Sequence, residues 1–309
     1  MEKTSLALAC LFLTFTAACS EEHPSVGDLK TDIKKVLAEE DGTYAIYYSD
    51  LTNPELEIAI NPDTVFHAAS TMKTPVMIEV FRRANAGEFS IHDSIRIDNT
   101  FYSIVDGSEF SLDLDPESQD LFEQRAGELA TIYDLTHAMI TYSSNIATNL
   151  MIQLVGAEET TQSMRELGAE NIQVLRGVYD MKAFDQGLSN STTARDLAVI
   201  FRSFASGNAT EREAVQMMID ILEDQYYRDI IPKYLPDDVV VANKTGSIAG
   251  VEHDSGLVYL PDGRSYLLIY LSKNVPDQKK SRDIGARISK KIYDFYMIQP
   301  VYTYNKNAL

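Results

Sequence analysis

The stretch Val65-Phe66-His67-Ala68-Ala69-Ser70-Thr71-Met72-Lys73-Thr74-Pro75-Val76-Met77 governs how the rest of the chain is read. From Ser70 to Ala86 the pattern predicts a long helix, closed at Gly87. Positions three apart share a helix face, so the Lys73 amine can reach the Ser70 hydroxyl. A serine hydroxyl is a poor nucleophile until a neighbouring base takes its proton. A helix N-terminus also supplies free N–H groups where an oxyanion would form. Ser70 is the only serine in the chain with a lysine three positions on. Chance supplies about one such match in a chain of this length, and a helix start with a solvent-facing lysine would read the same. The apolar neighbours Val65, Phe66, Ala68, Ala69, Met72, Val76 and Met77 count against that, because a charge set among them needs a purpose.

Outward from this helix the pattern is mixed. Leu29, Ile33, Val36 and Leu37 give Val26 to Glu40 a helical face, ended by Asp41-Gly42. Tyr44 to Tyr48 and Leu56 to Ile60 read as a hairpin joined through Asp50 to Pro54. About Ile91 to Phe204 is mostly helical pattern broken by polar loops, with a long acidic loop, Asp106 to Asp120, that reads as a flap or insertion. Val239 to Ala242, Ser255 to Leu260 and Tyr266 to Leu271 read as strands, the last two joined at Pro261-Asp262-Gly263-Arg264. Ile284, Ile288, Ile292 and Phe295 mark a closing helix over Asp283 to Tyr296. Strands at both ends cannot bury their faces alone, so they must share one sheet. The expected fold class is α+β: a mainly antiparallel sheet covered by the terminal helices, with an all-helical lobe inserted between its halves and a cleft between the lobes.

Two further motifs matter. Ser143-Ser144-Asn145 lies between apolar stretches and would, alone, be a helix N-cap. Lys244-Thr245-Gly246-Ser247 follows the strand Val239 to Ala242 and would, alone, be a strand end turning at a glycine. Together and in this order, Ser-x-x-Lys, Ser-x-Asn and Lys-Thr-Gly resemble the set found in class A β-lactamases and penicillin-binding proteins. The resemblance spans about Leu29 to Tyr296 and implies a β-lactamase/transpeptidase-like three-layer αβα fold. It implies that Ser70 attacks an amide carbonyl and becomes an acyl ester, with Lys73 as proton acceptor or relay and Ser143 passing the proton to the leaving nitrogen. Asn145 would bond the substrate's side-chain amide, and Lys244 and Thr245 its carboxylate. The Ser70 and Ser247 N–H groups would form the oxyanion hole, and Gly246 would let the substrate lie close to the strand.

At one place the sequence departs from the family. Class A enzymes resemble one another in a glutamate, on a loop after the Ser-x-Asn helices, that activates the deacylating water. Here that loop, Leu175 to Thr192, contains no glutamate. Val178 or Tyr179 occupies its neighbourhood. Asp180 is the nearest carboxylate, either a substitute base or a structural partner of Arg176. Three functions therefore stand: hydrolysis of β-lactams, a D,D-peptidase acting on peptidoglycan, and a penicillin-binding lipoprotein that is acylated without turnover.

The formal net charge of −19 excludes nucleic acid as a natural partner, since such a surface repels phosphates. His23, His67, His92, His137 and His253 lack metal-ligand spacing, so no metal is expected, and no other cofactor. His253 and Asp254 are expected along the cleft. An apolar run, Leu6 to Ala18, ends in Thr16-Ala17-Ala18-Cys19 and is too short to span a membrane. It predicts a signal peptide over residues 1–18, and the cysteine after it resembles a bacterial lipobox. Lipidation at Cys19 would leave a tether over 19–25 and a monomeric catalytic domain over 26–305, held at the periplasmic membrane or cell envelope. Its sheet lobe is expected over 26–90 and 205–305 and its helical lobe over 91–204. Cys10 would leave with the signal, so no internal disulfide is expected.

Overall fold

The structure is a computed structural model that describes residues 24–53, 55–112, 122 and 125–299. The proposed signal peptide, Cys10, Cys19 and the acidic stretch 113–120 lie outside the described residues.

Helix α1 (Val26–Leu37) begins with a reciprocal cap: the Ser25 hydroxyl accepts from the Asp28 amide, and the Asp28 carboxylate accepts from the Ser25 amide. Strands β1 (Thr43–Asp50) and β2 (Glu57–Ile60) form the expected hairpin, with Ile46 opposite Ile60. A short strand β3 (Phe66–His67) and a 3₁₀ turn (Ala69–Met72) lead into α2 (Lys73–Asn85). The single helix expected from Ser70 is thus divided, and Ser70 lies in the tighter turn before α2.

The middle of the chain carries β4 (Ser94–Arg96), β5 (Phe101–Tyr102), β6 (Glu109–Phe110) and β7 (Leu129–Thr131). After these come α3 (Ile132–Thr141), α4 (Asn145–Val155), α5 (Ala157–Glu166), α6 (Met181–Asp185), β8 (Ser191–Thr192), α7 (Ala194–Ser206) and α8 (Arg212–Glu223). The chain returns to the sheet with β9 (Val240–Ile248), β10 (Val251–Tyr259) and β11 (Ser265–Lys273), then closes with α9 (Gln278–Ile298).

The sheet is antiparallel in the order β2-β1-β11-β10-β9, so strands from both ends of the chain do meet, Ile46 lying opposite Tyr270. Side chains alternate along a strand, and here both faces are covered. Tyr266, Leu268 and Tyr270 of β11 join Leu29, Ile33, Ile284 and Ile288 of the terminal helices. Leu267, Ile269 and Leu271 join the core under α2, α7 and α8. That explains why β11 reads as a continuous apolar run.

Two expectations change. Helix α7, expected in the helical lobe, packs on β1, β10 and β11 and so covers the inner face of the sheet. Helix α2, expected with the sheet lobe, packs against α3, α4, α5 and α8. Its residues Lys73 to Phe81 are buried without a break, as fits a helix enclosed by others rather than one lying on a surface. Among the described residues no helix is long and apolar enough to cross a membrane.

Candidate active site

The three motifs converge on one cleft of about 810 Å³, whose lining includes Ser70, Ser143, Asn145, Thr245, Gly246 and Ser247. Each arrives from a different element. Ser70 comes from the turn before α2, where Ala69 adopts a left-handed backbone at φ 46°. Ser143 sits between α3 and α4 and is also left-handed, at φ 58°. Ser144 caps α4 by accepting from the Ala147 amide, so the capping reading of this motif is met by Ser144, while Ser143 lines the cleft.

The two lysines flank Ser143. Lys73, with no exposed surface, donates from Nζ to the Ser143 carbonyl at 2.6 Å, to Ser143 Oγ at 3.0 Å and to Asn145 Oδ1 at 3.0 Å. Lys244, equally buried, donates to Ser143 Oγ at 3.3 Å and to the Thr245 carbonyl at 3.0 Å. Burial pushes the Lys244 ammonium down to about 7, and the charge of Asp254 only partly opposes this. A hydroxyl held between two amines is placed to move a proton.

The Lys-Thr-Gly segment lies within its strand rather than after it, so the strand read over Val239 to Ala242 is longer than its apolar pattern. Strand β9 runs on to Ile248 at the sheet edge, so the motif presents its backbone to the cleft along the Ser70 turn. A β-carbon on Gly246 would come 3.1 Å from the Ser70 amide nitrogen and 3.2 Å from that of Thr71. Glycine is what lets the strand pass so near Ser70. His253 and Asp254 do not line the cleft: both sit in β10 with no exposed surface. Burial pushes His253 down to about 4 and Asp254 up to about 6.

The loop expected to carry the deacylating base is anchored by a residue that the motif reading missed. Asn149, four positions after Asn145 on α4, accepts from the Val178 amide at 2.7 Å and donates to the Val178 carbonyl at 3.0 Å. Gly177 makes room, since a β-carbon there would lie 2.5 Å from Asn149 Oδ1. The i, i+4 spacing from Asn145 was the available signal. Val178 and Tyr179 line the cleft. Asp180, the expected candidate base, does not. It is 2% exposed and accepts from Ser103 Oγ at 2.9 Å, the Ile104 amide at 2.9 Å and the Ala183 amide at 3.1 Å. Burial opposes its charge, yet these bonds, with Arg176 nearby, hold the carboxyl below its ordinary value. It caps α6 and ties it to the loop after β5. The structural alternative for Asp180 fits these bonds, with partners other than Arg176, whose guanidinium donates to the carbonyls of Leu188 and Gly177. In the same region Asp106 pairs with Lys182, so this start of the acidic loop is fastened to α6.

Among the described residues, the cleft-lining carboxylates are Asp229 and Glu252. Glu252 is 2% exposed, and burial raises it. Its Oε1 accepts from Ser247 Oγ at 2.9 Å, Gln278 Nε2 at 2.7 Å and Arg282 at 2.7 Å. Register brings Glu252 opposite Ser247, and Arg282 arrives from α9, a juxtaposition with no trace in local sequence.

A model of the Beta-lactamase enzyme family matches residues 28–296. The chain belongs to that family. This β-lactamase-family chain is 26% identical over 269 residues to a β-lactamase of Bacillus licheniformis, covering 85% of this chain and 82% of that one. It is similar to the crystal structure of a β-lactamase from Sphaerobacter thermophilus, with TM-score 0.75, 26% identity and coverage of 87% and 98%. It is also similar to a leucine-to-glutamate mutant of PBP-A solved as an acyl-enzyme complex with penicillin G, with TM-score 0.75, 25% identity and coverage of 88% and 97%. The β-lactamase fold is therefore established, and the family's three motifs stand together on one cleft.

Proposed function

We propose that the protein opens β-lactam rings through a covalent acyl-Ser70 intermediate. The observation that carries this is the placement of Ser143 between Lys73 and Lys244, in the cleft that also presents Ser70 and the Gly246 strand. Ser70 Oγ attacks the lactam carbonyl, its proton passing toward Lys73. The C–N bond breaks, and Ser143 delivers a proton to the leaving nitrogen, replenished through Lys73. The N–H groups of Ser70 and Ser247 stabilise the oxyanion, while Lys244 and Thr245 hold the substrate carboxylate. Asn145 orients the side-chain amide. The test is intact-mass detection of an adduct with a penicillin. Ser70→Ala is expected to abolish it, and undiminished labelling of that variant would refute the assignment.

A specific observation favours a second reading, in which acylation outpaces release. The loop turns Val178 and Tyr179 to the cleft and Asp180 away from it. A protein that holds its acyl group serves as a penicillin-binding lipoprotein, or as a D,D-peptidase whose natural substrate is a peptidoglycan stem peptide. Rapid turnover of a chromogenic cephalosporin with no detectable adduct would exclude slow release. To the same proposal belong secretion, lipidation of Cys19, and action as an anchored monomer in the periplasm or cell envelope. Membrane fractionation of the wild type beside Cys19→Ala, both expressed with residues 1–18, tests the anchor.

A further inference from the structure

The turn that carries Ser70 is held from behind by a histidine that no motif includes. His67 ends β3 and lines the cleft. Its Nδ1 lies 3.0 Å from the amide nitrogen of Ala69. That N–H needs a lone pair to donate to, so the ring carries its proton on Nε2. Ala69 is the left-handed residue directly before the nucleophile, a conformation a non-glycine residue keeps only where its surroundings enforce it. The His67 carbonyl is itself fixed, 2.9 Å from Nε2 of the buried His253.

We propose that His67 is a positioning residue for acylation: its bare Nδ1 holds the Ala69 N–H, fixes the left-handed turn and so aims the Ser70 N–H at the developing oxyanion, and a proton on Nδ1 releases that hold. A protonated Nδ1 would face the Ala69 N–H donor to donor, so the turn could not keep its bond. The surroundings favour the bare form. Arg176 comes from the loop and His253 from β10, and both bear on the His67 ring. Burial, and then Arg176, hold the His67 imidazole below its ordinary value.

The inference rests on the acyl-Ser70 reading, and its test separates the two. Acylation of the full chain by a chromogenic cephalosporin is followed from about pH 4 to pH 8. Wild type is expected to lose acylation rate on the acid side. His67→Ala should slow acylation about ten- to a hundredfold at neutral pH with KM little changed. His67→Asn, whose Oδ1 can accept the same N–H but cannot bind a proton in this range, should keep the neutral rate and lack that acid limb. Acid limbs that superimpose for wild type and His67→Asn overturn the proposal, as does a neutral His67→Ala rate equal to wild type. Ring ¹⁵N shifts of His67 read the tautomer without any reaction: a proton on Nδ1 at neutral pH overturns the proposal, whereas an Nε2–H tautomer with no acylation in wild type instead defeats the β-lactam reading.

Discussion

Nζ of Lys73 lies 3.0 Å from Oγ of Ser143. The same Oγ is 3.3 Å from Nζ of Lys244. One hydroxyl thus joins the first and third motifs, and the left-handed backbone of Ser143 lets its carbonyl face Lys73 as well.

That backbone allows a clean test of the relay. Ser143→Gly keeps the φ value, which glycine adopts without strain, and removes only the side chain. Acylation by a penicillin is expected to slow by about 10²- to 10⁴-fold, while thermal unfolding moves little. Stopped-flow acylation beside calorimetry checks both halves. An unchanged acylation rate would take Ser143 out of proton transfer.

Lys244 gives the cleft an alkaline limit. Burial sets its ammonium near pH 7, so as pH rises through that value the free enzyme loses the cation meant for a substrate carboxylate. kcat/KM should fall there, with kcat less affected, because a bound carboxylate holds the proton on. Lys244→Arg carries a charge that does not titrate in this range. Whatever its absolute rate, its kcat/KM profile should stay flat across the wild-type limb. A steady-state pH series on both proteins decides.

Val178 marks where a base can be installed. Its peptide is clamped by Asn149 at both N–H and carbonyl, and the residue lines the cleft that holds Ser70. Val178→Glu should shorten the life of the acyl-enzyme by about 10²-fold or more. Intact mass over time after a penicillin pulse measures this, and an unchanged lifetime would mean that position 178 cannot reach the ester.

Asp180 should matter to stability rather than to release. Asp180→Ala strands the donors of Ser103, Ile104 and Ala183 and is expected to cost about 1–3 kcal/mol. The folded carboxyl is held below its ordinary value. Its contribution is therefore present above the unfolded value and lost as pH falls through the folded one. Urea unfolding at neutral and acid pH tests this, and Asp180→Asn should leave the deacylation rate where it was.

Much of this architecture was legible in the sequence, for definable reasons. The face Ile284, Ile288, Ile292 and Phe295 announced α9, and the three motifs announced residues that the fold brings to one cleft. Less legible were features set by long-range packing. The amphipathic pattern of α7 showed that it had a buried face but not that the sheet was what it covered. Gly246 looked like a strand end because glycine usually interrupts a strand, whereas here it lets β9 pass the Ser70 turn. The left-handed Ala69 and Ser143 carry no residue signature, since neither is glycine. The pairing of Glu252 with Arg282 joins β10 to α9 and depends on register alone.

The unbroken burial of Lys73 to Phe81 has a consequence for how the molecule breathes. Amide protons on an enclosed helix reach solvent only when the surrounding helices part, so α2 belongs to the most cooperative portion of the fold. Lys73 opens that helix. The backbone that carries Lys73 therefore opens only with the surrounding helices, while the loop around Val178, held by Asn149, Asn190, Arg176 and Asp180, rests on polar ties rather than on an enclosing core. Amide exchange in the loop around Val178 should then rise at temperatures where α2 is still protected.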